Sequence, residues 1–185
     1  MRLLWIQHSG KVELKAEHII DHLGDSSRML ADITASMVYE NPQLLRSLVE
    51  VALTGNDPHA HRAARVVSIC SQNFPELLRP FSRLIISGLE VIQSFSVIRN
   101  LLKIYAEVPV KITGKEKATL INLCFGYLAD EKAPVAVKMF SMQILNNMSD
   151  EYPEIGRELY HIIEDQYSAA KPGFKSRARK ILKKD

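Results

Sequence analysis

The segments Pro42-Gln43-Leu44-Leu45-Arg46, Pro75-Glu76-Leu77-Leu78-Arg79 and Pro153-Glu154-Ile155-Gly156-Arg157 repeat one plan: proline first, a polar residue second, an aliphatic third and an arginine fifth. Proline suits the first position of a helix, where its missing N–H has no intrahelical partner to lose. Each segment therefore opens a helix, and the two later ones follow an aromatic residue, Phe74 or Tyr152. A second register runs through the partner helices. Arg28, Arg62, Arg99, Lys138 and Lys175 recur at spacings of 34, 37, 39 and 37 residues. Seven positions after each stands an apolar residue: Ala35, Ile69, Ala106, Leu145 or Leu182. Units of two helices at this period predict an α-solenoid, in which each hairpin buries its apolar side against the next.

Working outward, the rest of the chain keeps a helical period. Val12, Ala16, Ile19, Ile20 and Leu23 follow the spacing of one helix face, and Leu30, Ile33, Met37 and Val38 repeat it. Asn41-Pro42, Asp57-Pro58, Phe74-Pro75, Ala133-Pro134, Tyr152-Pro153 and Lys171-Pro172 each mark a new helix start. Asn41 and Asp57 are expected to cap, since their side-chain oxygens can accept from the open N–H groups of a first turn. Ser26-Ser27 behind Asp25 reads as a further start, and Thr113-Gly114-Lys115-Glu116 has the capping-box spacing. Neither Asn-Gly nor Asp-Gly joins alternating apolar runs, so a sheet has no support.

The expected fold is all-α, a right-handed α-α superhelix of about five helical hairpins built from about ten helices. Residues 1–11 form an N-terminal extension, 12–40 an N-terminal hairpin, 42–170 the central repeats and 171–185 a basic C-terminal capping helix. Leu48, Ile69, Leu84, Leu101, Leu123 and Leu145 are expected at the interfaces between neighbouring units.

With 185 residues, 46% of them apolar and 24% charged, the chain suits one domain with a full core. The run Leu3-Leu4-Trp5-Ile6 is too short for a signal sequence or a membrane span, so a cytoplasmic protein without membrane contact is expected. Cys70 and Cys124 lie in apolar helical patterns and read as buried thiols. The net charge of +3 is uneven: residues 171–185 hold seven basic residues against Asp185, leaving 17 basic and 20 acidic groups elsewhere. A uniformly basic nucleic-acid binder is excluded by that division.

Pro42-Gln43-Leu44-Leu45 through Leu53, then Asn56-Asp57-Pro58 and Arg62-Ala63-Ala64, resembles a HEAT repeat. Ala133-Pro134-Val135-Ala136-Val137-Lys138 with Ile144-Leu145 looks like a second copy, and Pro172-Gly173-Phe174-Lys175 with Ala178 and Leu182 like a truncated last one. The resemblance covers roughly residues 25–184 and implies an armadillo-like scaffold that binds protein. Ahead of Arg99 and Lys175 the turn Asp typical of the family is missing. The chain is also similar to a group of small bacterial HEAT-like proteins without established activity, some carrying an adenylosuccinate lyase name. Ser26-Ser27-Arg28-Met29 matches the start of the mobile serine loop of such lyases, but Leu30 stands where proline is required and the following Lys, Asn and Pro are absent.

The expected site is the recurring basic ladder, Arg62, Arg99, Lys138 and Lys175, lying along the concave face. An acidic peptide or a phosphate backbone would suit it, although the same position in HEAT repeats holds turns together. The expected partner is thus a protein or peptide, with nucleic acid the alternative through the ladder and the basic C-terminal helix. A glycosylase-like HEAT enzyme would need a Trp–Asp pair on a second helix, and the single Trp is Trp5. His18 and His22 are i, i+4 beside Glu17, Asp21 and Asp25, and read as a solvated pair rather than a metal site. No catalytic residues, metal or small-molecule cofactor are expected.

Overall fold

The computed structural model describes Ile19 and residues 21–182. The expected extension 1–11 with Trp5, the apolar positions Val12, Ala16 and Ile20, His18, and the terminal Lys183, Lys184 and Asp185 lie outside the described residues. A one-turn 3-10 helix, Asp21–Leu23, precedes ten α-helices: α1 (Arg28–Glu40), α2 (Leu44–Thr54), α3 (His59–Asn73), α4 (Pro75–Leu78), α5 (Ser82–Leu89), α6 (Phe95–Glu107), α7 (Gly114–Ala129), α8 (Val135–Met148), α9 (Pro153–Tyr167) and α10 (Pro172–Leu182). No strand occurs among the described residues, and no helix there is long and apolar enough to cross a membrane.

The helix starts follow the local chemistry, with two corrections. Ser27 caps α1 by accepting from the Leu30 N–H at 3.1 Å. Thr113 and Glu116 close the capping box on α7. Asn41 and Asp57, however, do not cap. Asn41 ends α1, donating its backbone N–H to the Met37 carbonyl, and α2 begins only after a turn through Pro42 and Gln43. Asp57 instead meets His61 Nδ1 and accepts from the Ser94 hydroxyl, both at 3.3 Å. The helix opened by Pro75 also breaks. Pro80 has no N–H to give and its ring crowds the preceding turn, so Arg79–Phe81 is a 3-10 turn separating α4 from α5.

Hairpins α2/α3, α4–α5/α6, α7/α8 and α9/α10 succeed one another, with α1 as the second helix of a leading unit. The second helices form a continuous layer in which α1 packs on α3, α3 on α6, α6 on α8 and α8 on α10. The first helices touch far less, α2 lightly on α5 and α5 on α7. Close spacing on one side and open spacing on the other curves the stack, with the second helices inside. At α5, Gly88 permits the approach to α2, because a Cβ there would lie 2.5 Å from Leu53 Cδ2. The whole is an all-α solenoid.

The register read from the ladder holds: Ala35, Ile69, Ala106 and Leu145 are buried, and Leu182 is half-buried. Leu48 and Leu101 are buried too, and Leu123 packs half-buried on the flank of α7. Leu84 is a correction at 42% exposed, because α5 turns Ser82, Ile85, Ile86 and Leu89 inward and leaves Leu84 on the opposite side. Ile33 is another, at 47% exposed. On α1 the buried stripe is Ala31, Thr34, Ala35 and Val38, and its small side chains let α1 settle on α3, where Ala63 and Ala64 are buried.

Truncating Leu145 to Ala is expected to cost ~2–5 kcal/mol of unfolding free energy, the range for a fully buried leucine. Leu84→Ala should cost less than about 1 kcal/mol, as at half-open surface positions. Paired urea melts of the two variants check both values.

Candidate functional site

Every helix end leaves carbonyls without an intrahelical donor. In this chain the neighbouring elements supply donors, many of them about one repeat away in sequence. Arg62 Nη1 donates to the carbonyls of Leu23 and Gly24 at 2.8 and 2.7 Å, across 39 and 38 residues. Arg65 Nη1 reaches the Ser26 carbonyl at 2.6 Å. The Tyr127 hydroxyl donates to Leu89, Asn147 Nδ2 to Ala106 and Gln166 Nε2 to Leu128, at separations of 38 to 41 residues, and Asn100 Nδ2 donates to His61, 39 residues back in the first turn of α3. Each bond ties one unit to the unit before it.

The four ladder residues sit on successive second helices, on α3, α6, α8 and α10, but the structure divides them. Arg62 holds the two carbonyls just named, and its buried Nε has no partner in the described structure. Lys138 Nζ donates to the Leu128 carbonyl at 3.0 Å, near the end of α7. Lys175 Nζ donates to the Ser168 carbonyl at 2.9 Å, just past α9, and lies 5.7 Å from the centre of the Tyr167 ring. A cation at a helix C-terminus also complements the macrodipole. Arg99 differs: it is exposed, and among the described residues its side chain has neither hydrogen bond nor ion pair. There the neighbouring Asn100 makes the link between units. Arg28, at the head of the same register, pairs with Asp32 on the surface.

Polar residues that sequence reasoning passed over form a second line, nearer the C-terminal halves of the second helices. Gln72 of α3 donates to Glu107 of α6 at 2.8 Å, and Lys103 faces the same carboxylate at 3.7 Å. Asn147 of α8 holds the Ala106 carbonyl of α6 at 3.1 Å and accepts from Gln143 at 2.7 Å. Arg177 of α10 then donates to Gln143 at 2.6 Å. Side chains therefore bridge α3, α6, α8 and α10 in sequence, with Gln72, Glu107 and Asn147 open to solvent. The signal was present in the spacing: Gln72 and Glu107 are 35 residues apart, and Gln143 and Arg177 are 34 apart. Lys117 and Glu151, 34 apart, form a further ion pair between α7 and the turn before α9. Their hydrogen bond raises the lysine and lowers the carboxylate from their ordinary values.

The thiols are chemically quiet. Cys70 and Cys124 are fully buried, and burial pushes both up to about 12. Burial also raises the Tyr105 hydroxyl, which donates to the Ser82 carbonyl at 3.3 Å. Among the described residues no three His, Cys, Asp or Glu side chains gather as a metal site would require.

Two stability tests follow from this geometry. Arg62→Met strips two carbonyls of their donor and should cost about 1–3 kcal/mol, whereas Arg99→Met should stay within about 0.5 kcal/mol of the parent in a denaturant melt. The thiols set a pH dependence as well, since in the unfolded chain they ionise near their ordinary value while the folded chain keeps them neutral. Stability should therefore be flat at neutral pH and fall from about pH 9 to about 12, by up to about 1.4 kcal/mol per pH unit for each group. Urea midpoints measured across that interval should fall less steeply for Cys124→Ala.

No curated protein and no solved structure matches the chain. The HEAT repeat domain does match, over residues 21–185, which spans all ten α-helices described above. By that match, and by its stacked two-helix units, the chain belongs to the HEAT repeat family.

Proposed function

We propose that this chain is a non-catalytic scaffold that holds a protein or peptide along its inner, second-helix face. The observation that carries this reading is the bridged line of polar side chains across α3, α6, α8 and α10. It offers a long, ordered surface whose side chains are already fixed by one another, so little conformational freedom remains to be lost on binding. Arg99 is open and unpaired, with Lys103 one helical turn away, so an acidic segment is the favoured occupant of the middle of that surface. Family membership supports a repeat-based scaffold of this kind. Arg62, Lys138 and Lys175 serve it indirectly, since each fixes a turn or helix end within the stack.

A second reading, a nucleic-acid backbone as partner, draws on the same open Arg99 and on Arg179 and Lys180, both exposed on α10. Pull-down from nuclease-treated lysate, comparing the parent with an Arg99→Glu, Lys103→Glu variant of unchanged helical melt, separates the two. A protein retained by the parent and lost from the variant is the expected result. Equal capture by both would move the contact off this face. Recovery of nucleic acid only when nuclease is omitted would favour the second reading, and binding should then weaken with salt at a slope of about −0.9 per phosphate on duplex DNA.

A further inference from the structure

The edge of the solenoid where first helices turn into second helices holds two equivalent crevices of very different size. At the leading unit, the turn before α1 and the start of α3 enclose only about 20 Å³. Arg62 and Arg65 close that space by reaching across it to the carbonyls of Leu23, Gly24 and Ser26. Between the α7/α8 and α9/α10 turns the corresponding crevice opens to about 600 Å³. Two substitutions in kind account for the difference. In place of Arg62 and Arg65 the following unit carries Lys175, which donates to the Ser168 carbonyl of its own unit, and Ala178, and the walls are small residues, among them Ala133 and Ala169.

We propose that this crevice binds a small organic phosphate, a phosphate monoester on a compact apolar body. Its volume lies in the range of small-molecule sites and far exceeds what a lone inorganic ion fills. Lys138 gives one of its three N–H groups to Leu128 and keeps two for a ligand. Lys132 and Lys171, both exposed, stand on the same walls with no side-chain hydrogen bond or ion pair among the described residues. Val135 and Phe174 supply apolar surface. Glu131 and Asp165 also line the space and leave it one net positive charge, which favours a single phosphate over a polyphosphate or a nucleic-acid strand. The site is separate from the inner face and independent of the partner proposed for it.

Titration of the ¹⁵N-labelled full chain with phenyl phosphate tests the proposal, read as backbone amide shifts at low salt. Saturable shifts confined to the amides around Val135, Lys138 and Ala170 are expected. A Lys132→Gln, Lys171→Gln variant should weaken binding by about tenfold or more, and Ala169→Trp should block it by volume, both with an unchanged melt. Inorganic phosphate and benzoate should each bind more weakly, the first lacking the apolar body and the second the dianion. The proposal is overturned if phenyl phosphate gives no saturable shift or binds the variants as it binds the parent. It is likewise overturned if inorganic phosphate or benzoate matches phenyl phosphate, or if benzylammonium, drawn by the two acids, binds in its place.

Discussion

Backbone carbonyls at the ends of helices must find donors, and in this chain the donors come from neighbouring elements, most often one repeat away. That requirement organises most of the polar structure. Arg62, Tyr127, Asn147 and Gln166 each reach back to such a carbonyl 38 to 41 residues earlier, and Asn100 to one in the first turn of α3, so the hydrogen bonds run along the stack as the apolar contacts do. Burial within and between the hairpins supplies the bulk of the driving force, since Leu48 of a first helix and Val67, Leu102 and Leu145 of second helices are fully enclosed. Hydrophobic burial is indifferent to small slips of one unit past another. Directional bonds to particular carbonyls are not, and they set the register in which each hairpin meets the next.

Much of this was legible in the sequence because the repeat is written in polarity. The spacing of Arg28, Arg62, Arg99, Lys138 and Lys175 located every second helix, and the apolar residue seven places on fell in the core at Ala35, Ile69, Ala106 and Leu145. What escaped depends on partners rather than on local pattern. Ile33 lies within an apolar period, yet α1 turns a narrower alanine stripe to α3 and leaves Ile33 outside. Leu84 likewise sits opposite the face that α5 buries. Asn41 and Asp57 carry capping side chains but stand where a preceding helix end and a neighbouring loop claim them first.

The candidate site was half legible for the same reason. A row of cations one repeat apart is visible in any reading, but carbonyls are the same at every position and leave no mark in the sequence. Whether a cation faces solvent or a helix end is therefore decided only by the packing. Arg99 faces solvent, while Arg62, Lys138 and Lys175 face helix and turn ends. The bridged line through Gln72, Glu107, Gln143 and Arg177 was written in the same period, in residues too ordinary to attract notice singly.

The unequal packing of the two layers has a mechanical meaning. The second helices are pressed together and laced by side chains, whereas the first helices barely meet. Under a bending load such a body deforms where it is softest, so the inner layer behaves as the neutral axis of a leaf spring and the outer seams take up the strain. A partner lying along the inner layer would find its contact points at constant intervals through such flexing. Grooves on the outer side, such as that between α5 and α7 lined by Arg83, Glu90 and Lys115, would widen and narrow with each stroke.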